Sequence, residues 1–280
     1  MPRLGLDFNS QRAAVLANHA SLTRKLAADV RSGRVAAPEL VLWPENASDI
    51  DPFTDPEAYA TIDAAVRDVG VPVLVGAVLQ GPGDLVSNAG VVWDPVTGPG
   101  ERYVKRHPVP FGEYVPLRSL LRQVSDKVDL VPRDFASGDE VGVLDVGPVR
   151  LGDVICFEVA YDDLVRDVVT AGGSLIVVQT NNATFGFSAQ TEQQLAMGRL
   201  RAVEHGRAVL VTATSGISAV IAPDGTVEQS APVFTREVLS AEVPIRTSTT
   251  LATRLGALPE ALLCAVGVLG LVLAGRWRTA

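Results

Sequence analysis

Three side chains of unlike chemistry stand where apolar runs end. Glu45 follows the run at 40–43 in WPEN, Lys105 closes a β-rich run inside YVKRHPVPFGEYVPLR, and Cys156 follows the apolar LGDVI, with Glu158 two residues on. A thiol is only slightly ionised at neutral pH, so it becomes a nucleophile when a neighbouring base or cation activates it. Glu45 is suited to the base's part and Lys105 to the stabilisation of charge. Acyl transfer also generates an oxyanion that needs fixed donors, for which the backbone N–H of Phe157 and the Lys105 ammonium are the candidates. Glu113 lies in the same loop as Lys105, where Pro108, Pro110 and Pro116 impose ordered, non-helical backbone. Each residue has a plainer reading too: Glu45 as a helix cap or solvated turn residue, Lys105 as a solvated charge, Cys156 as a packing cysteine. A thiol, a carboxylate and an ammonium at three separate strand ends together favour a nucleophilic site. A Ser-His-Asp arrangement competes poorly, because His19 falls on a helix, His205 at a helix end and His107 in the proline loop, none set against a serine elbow.

Helices and strands that alternate along the chain position these ends. Ala13, Leu16, Ala17, Ala20, Leu22 and Leu26 form one helical stripe over 9–31, closed by Ser32-Gly33. A short strand is expected at 40–43, a helix at 55–69 ending at Gly70, and an apolar strand at 71–79. Residues 86–93 and 101–105 read as a hairpin whose DPVTGPG connection is turn chemistry. A strand at 149–155, a helix at 162–171 closed by Gly172-Gly173, a strand at 174–179 and an amphipathic helix at 190–205 ended by Gly206 continue the alternation. Three strands follow at 208–213, 217–222 and 238–243, with the turn Pro223-Asp224-Gly225 between the last two. The pattern predicts an α/β layered domain with polar residues at strand ends forming the site.

Composition narrows the classes. The chain has 280 residues, 47% of them hydrophobic, which suffices for a core and excludes disorder as the main state. A net charge of -8, no basic stripe and 5% aromatics argue against a nucleic-acid partner. Cys156 and Cys264 cannot make a disulfide framework, and no Cys/His spacing fits zinc. Residues 255–275, LGALPEALLCAVGVLGLVLAG, are expected to form a transmembrane helix, since about 20 residues cross a bilayer core; a buried helix closing the domain is the alternative. Cys264 would then be a small packing or lipid-facing residue. Arg276 and Arg278 after the span balance Arg246 and Arg254 before it, so charge alone selects no orientation. The opening residues carry no apolar signal-peptide core. The expected organisation is a body at 1–245, a linker at 246–254, the span at 255–275 and a basic tail at 276–280.

Five motifs, in order, carry a resemblance: WPEN at 43–46, KRHPVPFGEYVPLR at 105–118, CFE at 156–158, TNNATFG at 180–186 and RAVEHGR at 201–207. Over nearly its whole length the chain resembles the nitrilase, or carbon-nitrogen hydrolase, superfamily; FGEYVPLR and the terminal apolar helix resemble its apolipoprotein N-acyltransferase branch. The resemblance implies a nitrilase-like αββα sandwich with a Glu-Lys-Cys triad: Glu45 as general base, Lys105 as oxyanion stabiliser and Cys156 as nucleophile, with Glu113 as a second carboxylate and Phe157 and Glu158 in support. It implies an acyl chain passed from phospholipid to a Cys156 thioester and then to the α-amino group of the diacylglyceryl-cysteine of an apolipoprotein, without metal or organic cofactor. The body would face the extracytoplasmic side of the cell membrane, with the C-terminus cytoplasmic. Departures from the branch's pattern are Phe157 in place of Tyr, and Asn182 and Thr184 in place of Asp and Trp, which bear on the acyl or acceptor pocket. The branch also begins with membrane helices and a first sheet strand that precede the segment aligned here, so an N-terminally truncated body is expected. A nitrilase-type amidase acting on small C–N bonds with the same triad, and an inactive membrane-tethered fragment, are the competing readings.

Overall fold

The computed structural model describes residues 11–123, 128–129 and 131–278. Helix α1 (Arg12–Arg31) leads into the two-residue strand β1 (Val41–Leu42). Helix α2 (Pro56–Val69) is started by Asp55, whose carboxylate accepts the N–H groups of Glu57 and Ala58, and is stopped by Gly70 at φ 75°. Strands β2 (Val73–Gln80), β3 (Val86–Asp94) and β4 (Gly98–Val104) complete a four-stranded sheet in the order β1-β2-β3-β4, parallel at β1/β2 and antiparallel beyond. A short helix α3 (Arg118–Leu121) lies in the loop that follows.

The second sheet has six strands in the order β10-β9-β8-β7-β6-β5. Its members are β5 (Val143–Val146), β6 (Val149–Ile155), β7 (Leu175–Thr180), β8 (Val209–Ala213), β9 (Ser218–Ile221) and β10 (Val227–Ala231). Helix α4 (Asp162–Thr170) joins β6 to β7 and α5 (Gln190–His205) joins β7 to β8, so β6, β7 and β8 run parallel. Three apolar clusters define four layers. α1 and α2 pack on the outer face of the first sheet around Ile62, Val66 and Trp93; the sheets face each other through Leu74, Tyr103, Leu151 and Val177; α4 and α5 cover the second sheet around Val165, Val168 and Ile221. The strands buried on both faces read as continuous apolar runs, as β7 does in LIVVQT.

Two expectations need correction. Residues 238–243 are not a strand; β10 forms at Val227–Ala231 instead, because the turn in which Gly225 N–H bonds Ala222 O and Ala222 N–H bonds Thr226 O returns the chain at once onto β9. The transmembrane helix expected at 255–275 is not found. Helix α6 (Leu251–Leu255) ends at Gly256, φ 51°, and a separate helix α7 (Leu258–Arg278) begins. Among the described residues no helix is long and apolar enough to cross a membrane. The break at Gly256 separates Leu255 from the helix that follows, so the stretch expected as one span is divided between two helices.

Candidate active site

Glu45 owes its position to an arch in the backbone. β1 leaves the sheet at Trp43, whose N–H still bonds Leu74 O, turns through Pro44, Glu45 and Asn46 (φ 55°), and rejoins β2 where Ser48 N–H bonds Gly76 O and Val78 N–H bonds Ser48 O. The arch lies directly on Gly76, where an added Cβ would collide with the Pro44 carbonyl. Glu45 is 4% exposed, and every oxygen it has is used. Oε1 accepts from Asn88 Nδ2 (2.6 Å) and Lys105 Nζ (3.1 Å), Oε2 from the Asn181 N–H (2.6 Å), and the main-chain carbonyl from Thr214 Oγ1 (2.6 Å).

Lys105, one residue past β4, is 1% exposed and donates to Glu45 Oε1 and, at 2.9 Å, to Glu113 Oε1. Burial disfavours its ammonium form, yet the two carboxylates overcome this and push its pKa above the ordinary lysine value. Glu113 is fixed by the proline loop, its Oε2 accepting the Val109 N–H at 2.7 Å. Asn88, on β3, donates one amide to both carboxylates, 2.6 Å from Glu45 Oε1 and 2.9 Å from Glu113 Oε1. One ammonium thus faces two carboxylates, and burial, followed by the charge of Glu113, raises the pKa of Glu45 despite Lys105.

Cys156 stands at the first position after β6 with φ 56°, a conformation uncommon for a residue with a side chain and found where the surroundings over-determine it. Its Sγ lies 3.3 Å from Thr180 Oγ1 and 3.6 Å from Gln194 Nε2. The Thr180 hydroxyl also has Asn182 Oδ1 at 2.5 Å and Gln194 Oε1 at 3.0 Å, and its single proton serves one of the three. Burial, then the Glu45 carboxylate, pushes the thiol up to about 12, with Lys105 opposing. The parallel register sets Ile155 beside Gln179, so the ends of β6 and β7 emerge together; Thr180 touches the sulfur and the next residue, Asn181, bonds Glu45.

Glu158 is wholly buried and ties the proline loop to the turn that carries Cys156. Its Oε1 accepts from the N–H groups of Arg106 (2.7 Å) and His107 (3.0 Å), its Oε2 from that of Ile155 (2.8 Å), and Tyr103 OH lies 3.0 Å from both oxygens. Phe157 is 42% exposed, its ring edge-on to Tyr161, which in turn stacks on His107 at 4.4 Å. Beside them a cavity of about 420 Å³ is lined by Arg106, His107, Tyr114, Asp134 and Tyr161.

The geometry therefore gathers Glu45, Lys105 and Glu113 in one hydrogen-bonded cluster, and places Cys156 against it through Thr180 and Asn181. Cys264 lies apart, exposed on α7. Sequence reasoning did not single out Asn88, Tyr103, Thr180 or Gln194 for the site; a lone buried amide in the apolar strand VSNAGVVW was the signal available for Asn88. Among the described residues there is no cluster of His, Cys, Asp and Glu that could hold a metal ion.

Comparison with known proteins adds the ancestry. An apolipoprotein N-acyltransferase of Mycolicibacterium smegmatis is 43% identical over 279 residues, 98% of this chain and 47% of that protein. Another, from Geobacter metallireducens, is 35% identical over 212 residues, 73% of this chain and 40% of that protein. The chain thus spans about half the length of these relatives or less. An amidase of Nesterenkonia AN1 from the nitrilase superfamily superposes with a TM-score of 0.55 at 19% identity, covering 76% of this chain and 80% of that one, a likeness of fold. The carbon-nitrogen hydrolase family matches residues 6–253, which take in both sheets and every residue of the cluster. A nitrilase-like α/β fold and a match over nearly the whole body make this chain a member of the carbon-nitrogen hydrolase family.

Proposed function

We propose that the chain is the catalytic portion of an N-acyltransferase that moves an acyl chain from phospholipid to the N-terminal diacylglyceryl-cysteine of an apolipoprotein. The observation that carries the reading is the buried cluster in which the base Glu45, bonded to Lys105, shares its strand-end neighbours with Cys156. Similarity to apolipoprotein N-acyltransferases selects this reaction among those a thiol could perform.

With its pKa near 12 the thiol holds no standing negative charge, so proton removal accompanies attack. Sγ adds to the ester carbonyl of the phospholipid while Glu45 takes the thiol proton. The oxyanion is held by Lys105 and the Phe157 N–H. The tetrahedral centre then collapses, the C–O bond breaks, and Glu45 returns the proton to the departing lysophospholipid oxygen, leaving an acyl thioester. The free α-amine of the acceptor adds to the thioester, Glu45 receives the amine's proton, and the proton passes to sulfur as the C–S bond breaks, giving amide and regenerated thiol. Glu113 balances the Lys105 charge and Glu158 holds the nucleophile turn. Phe157, Asn182 and Thr184 shape acceptance of acyl chain or acceptor. The exposed apolar surface of α7 keeps the body at the lipid from which the donor comes.

Incubation with phospholipid vesicles, followed by intact mass measurement, tests this. The expected result is an acyl adduct that hydroxylamine removes and that Cys156→Ala lacks. An adduct surviving in Cys156→Ala sinks the assignment of the nucleophile. An adduct-free chain that hydrolyses a small amide identifies an amidase instead, and absence of both activities leaves the reading of this chain as an active transferase untenable.

A further inference from the structure

A second acid lies in the layer between the sheets and takes no part in the mechanism above. Asp153, on β6, is 0% exposed, and both of its carboxyl oxygens lack a hydrogen-bond partner; so does Oε1 of Gln179, also 0% exposed, on the neighbouring strand β7. The two side chains crowd the same point of β3 in the opposite sheet. A Cβ added at Gly90 would collide with Asp153 Oδ2 and stand 2.7 Å from Gln179 Oε1. Three buried acceptor oxygens without a hydrogen-bond partner are an unfavourable arrangement, and an unpaired buried carboxylate is the worst of them.

Turning the Gln179 amide over does not help. Its Nε2 donates to the Trp43 carbonyl at 2.5 Å, and reversal would set two carbonyl oxygens against each other there. The amide orientation is thereby fixed, with Oε1 directed to the Asp153 side and in need of a donor. The element able to supply one is Asp153 itself, if it keeps its proton.

We propose that Asp153 is held as the neutral acid and donates to Gln179 Oε1, so that a relay from Asp153 through Gln179 to the Trp43 carbonyl braces the strand end that carries Glu45. Asp153 is thus a positioning residue: it touches no reacting atom and acts through the Trp43-Pro44-Glu45 arch. The groups that face it agree. Glu158 on the turn after β6, Glu45 at the end of β1 and the Tyr103 phenol on β4 all surround it with negative or acidic character, whereas the Val154 N–H favours the ion. Burial first, then Glu158, lifts its pKa well above the carboxylate range. The cross-sheet brace also accounts for Gly90, since no side chain fits where the two groups meet.

Infrared spectra of the full chain at neutral pH give the direct test: a protonated carboxyl C=O band is expected in the wild type and absent from Asp153→Asn. Urea midpoints across pH give the second. An acid whose folded pKa is raised contributes stability that is full below its unfolded pKa and is lost as pH rises toward the folded one. The wild type should therefore lose stability with rising pH by one proton more than Asp153→Asn, which keeps an N–H donor for Gln179. Neither readout requires catalysis, so they stand apart from the acyltransferase reading on which the positioning role rests. For that role, Asp153→Leu should lower kcat at least tenfold with little change in KM, and Asp153→Asn should restore it. No band difference, or Asp153→Asn as damaging to stability as Asp153→Leu at every pH, would overturn the proposal.

Discussion

Glu45 and Cys156 are each pushed toward their neutral forms, the carboxyl by burial and by Glu113, the thiol by burial and by Glu45. A base must be ionised to accept a proton, so the acid limb of the rate should lie above the ordinary glutamate pKa of about 4.3. We expect kcat/KM to fall as pH drops through the raised Glu45 pKa, and Glu45→Gln to lose about 10²–10⁴-fold together with that limb; a pH–rate profile of both proteins checks it. These positions were legible because a charged or thiol group closing an apolar run contradicts its surroundings, as at WPEN and LGDVICFE. Asn88 was not, because an amide inside a strand suits a solvated face equally well. Its burial comes from β2 and β4 on either side and the second sheet above, none of which is local in sequence. Gln194 was hidden likewise, one amide among several in TEQQLAMG on α5.

Elements whose limits are set by local chemistry were read closely. Gly70 and Gly206 stop α2 and α5 in the left-handed conformation that their sequence positions suggest, and β6 spans the expected 149–155. The segment at 238–243 misled because the apolar residues of VLSAEV describe side chains' need for cover, which this segment meets by packing Val243 against the inter-sheet cluster rather than by pairing. At this scale the arch over Gly76 is the sensitive point. Gly76→Ala places a Cβ against backbone atoms of Pro44 and Glu45, which cannot rotate away. It should cost about 1–3 kcal/mol, as overpacking does, and lower activity further by moving Glu45. Urea denaturation with parallel adduct formation separates the two effects, and an unchanged rate would show that the arch tolerates displacement.

Across the whole molecule, apolar surface is distributed unevenly. β1 pairs with β2 alone among the described strands, and along its flank runs a groove of about 760 Å³ lined by Leu22, Leu40, Leu42, Leu210 and Val243, which reaches Trp43 and Pro44 but is lined by neither Lys105 nor Cys156. α7 is barer still: Leu258, Leu262, Leu263, Val266, Val268, Leu269, Leu271, Val272 and Leu273 are all exposed, more contiguous apolar area than a monomer in water ordinarily shows. We expect the chain to self-associate in buffer and to disperse in detergent or on lipid vesicles, and removal of 258–280 to abolish vesicle binding. Sedimentation velocity and vesicle flotation measure this; a monodisperse full chain in plain buffer would contradict it. α7 also carries the second cysteine. Cys264 is open to solvent while Cys156 is buried, so the two thiols differ in accessibility by construction. A membrane-impermeant maleimide should label Cys264 faster than Cys156, and the chain thereby contains its own reference thiol, against which loss of labelling at α7 reports immersion and gain of labelling at Cys156 reports opening of the nucleophile's pocket.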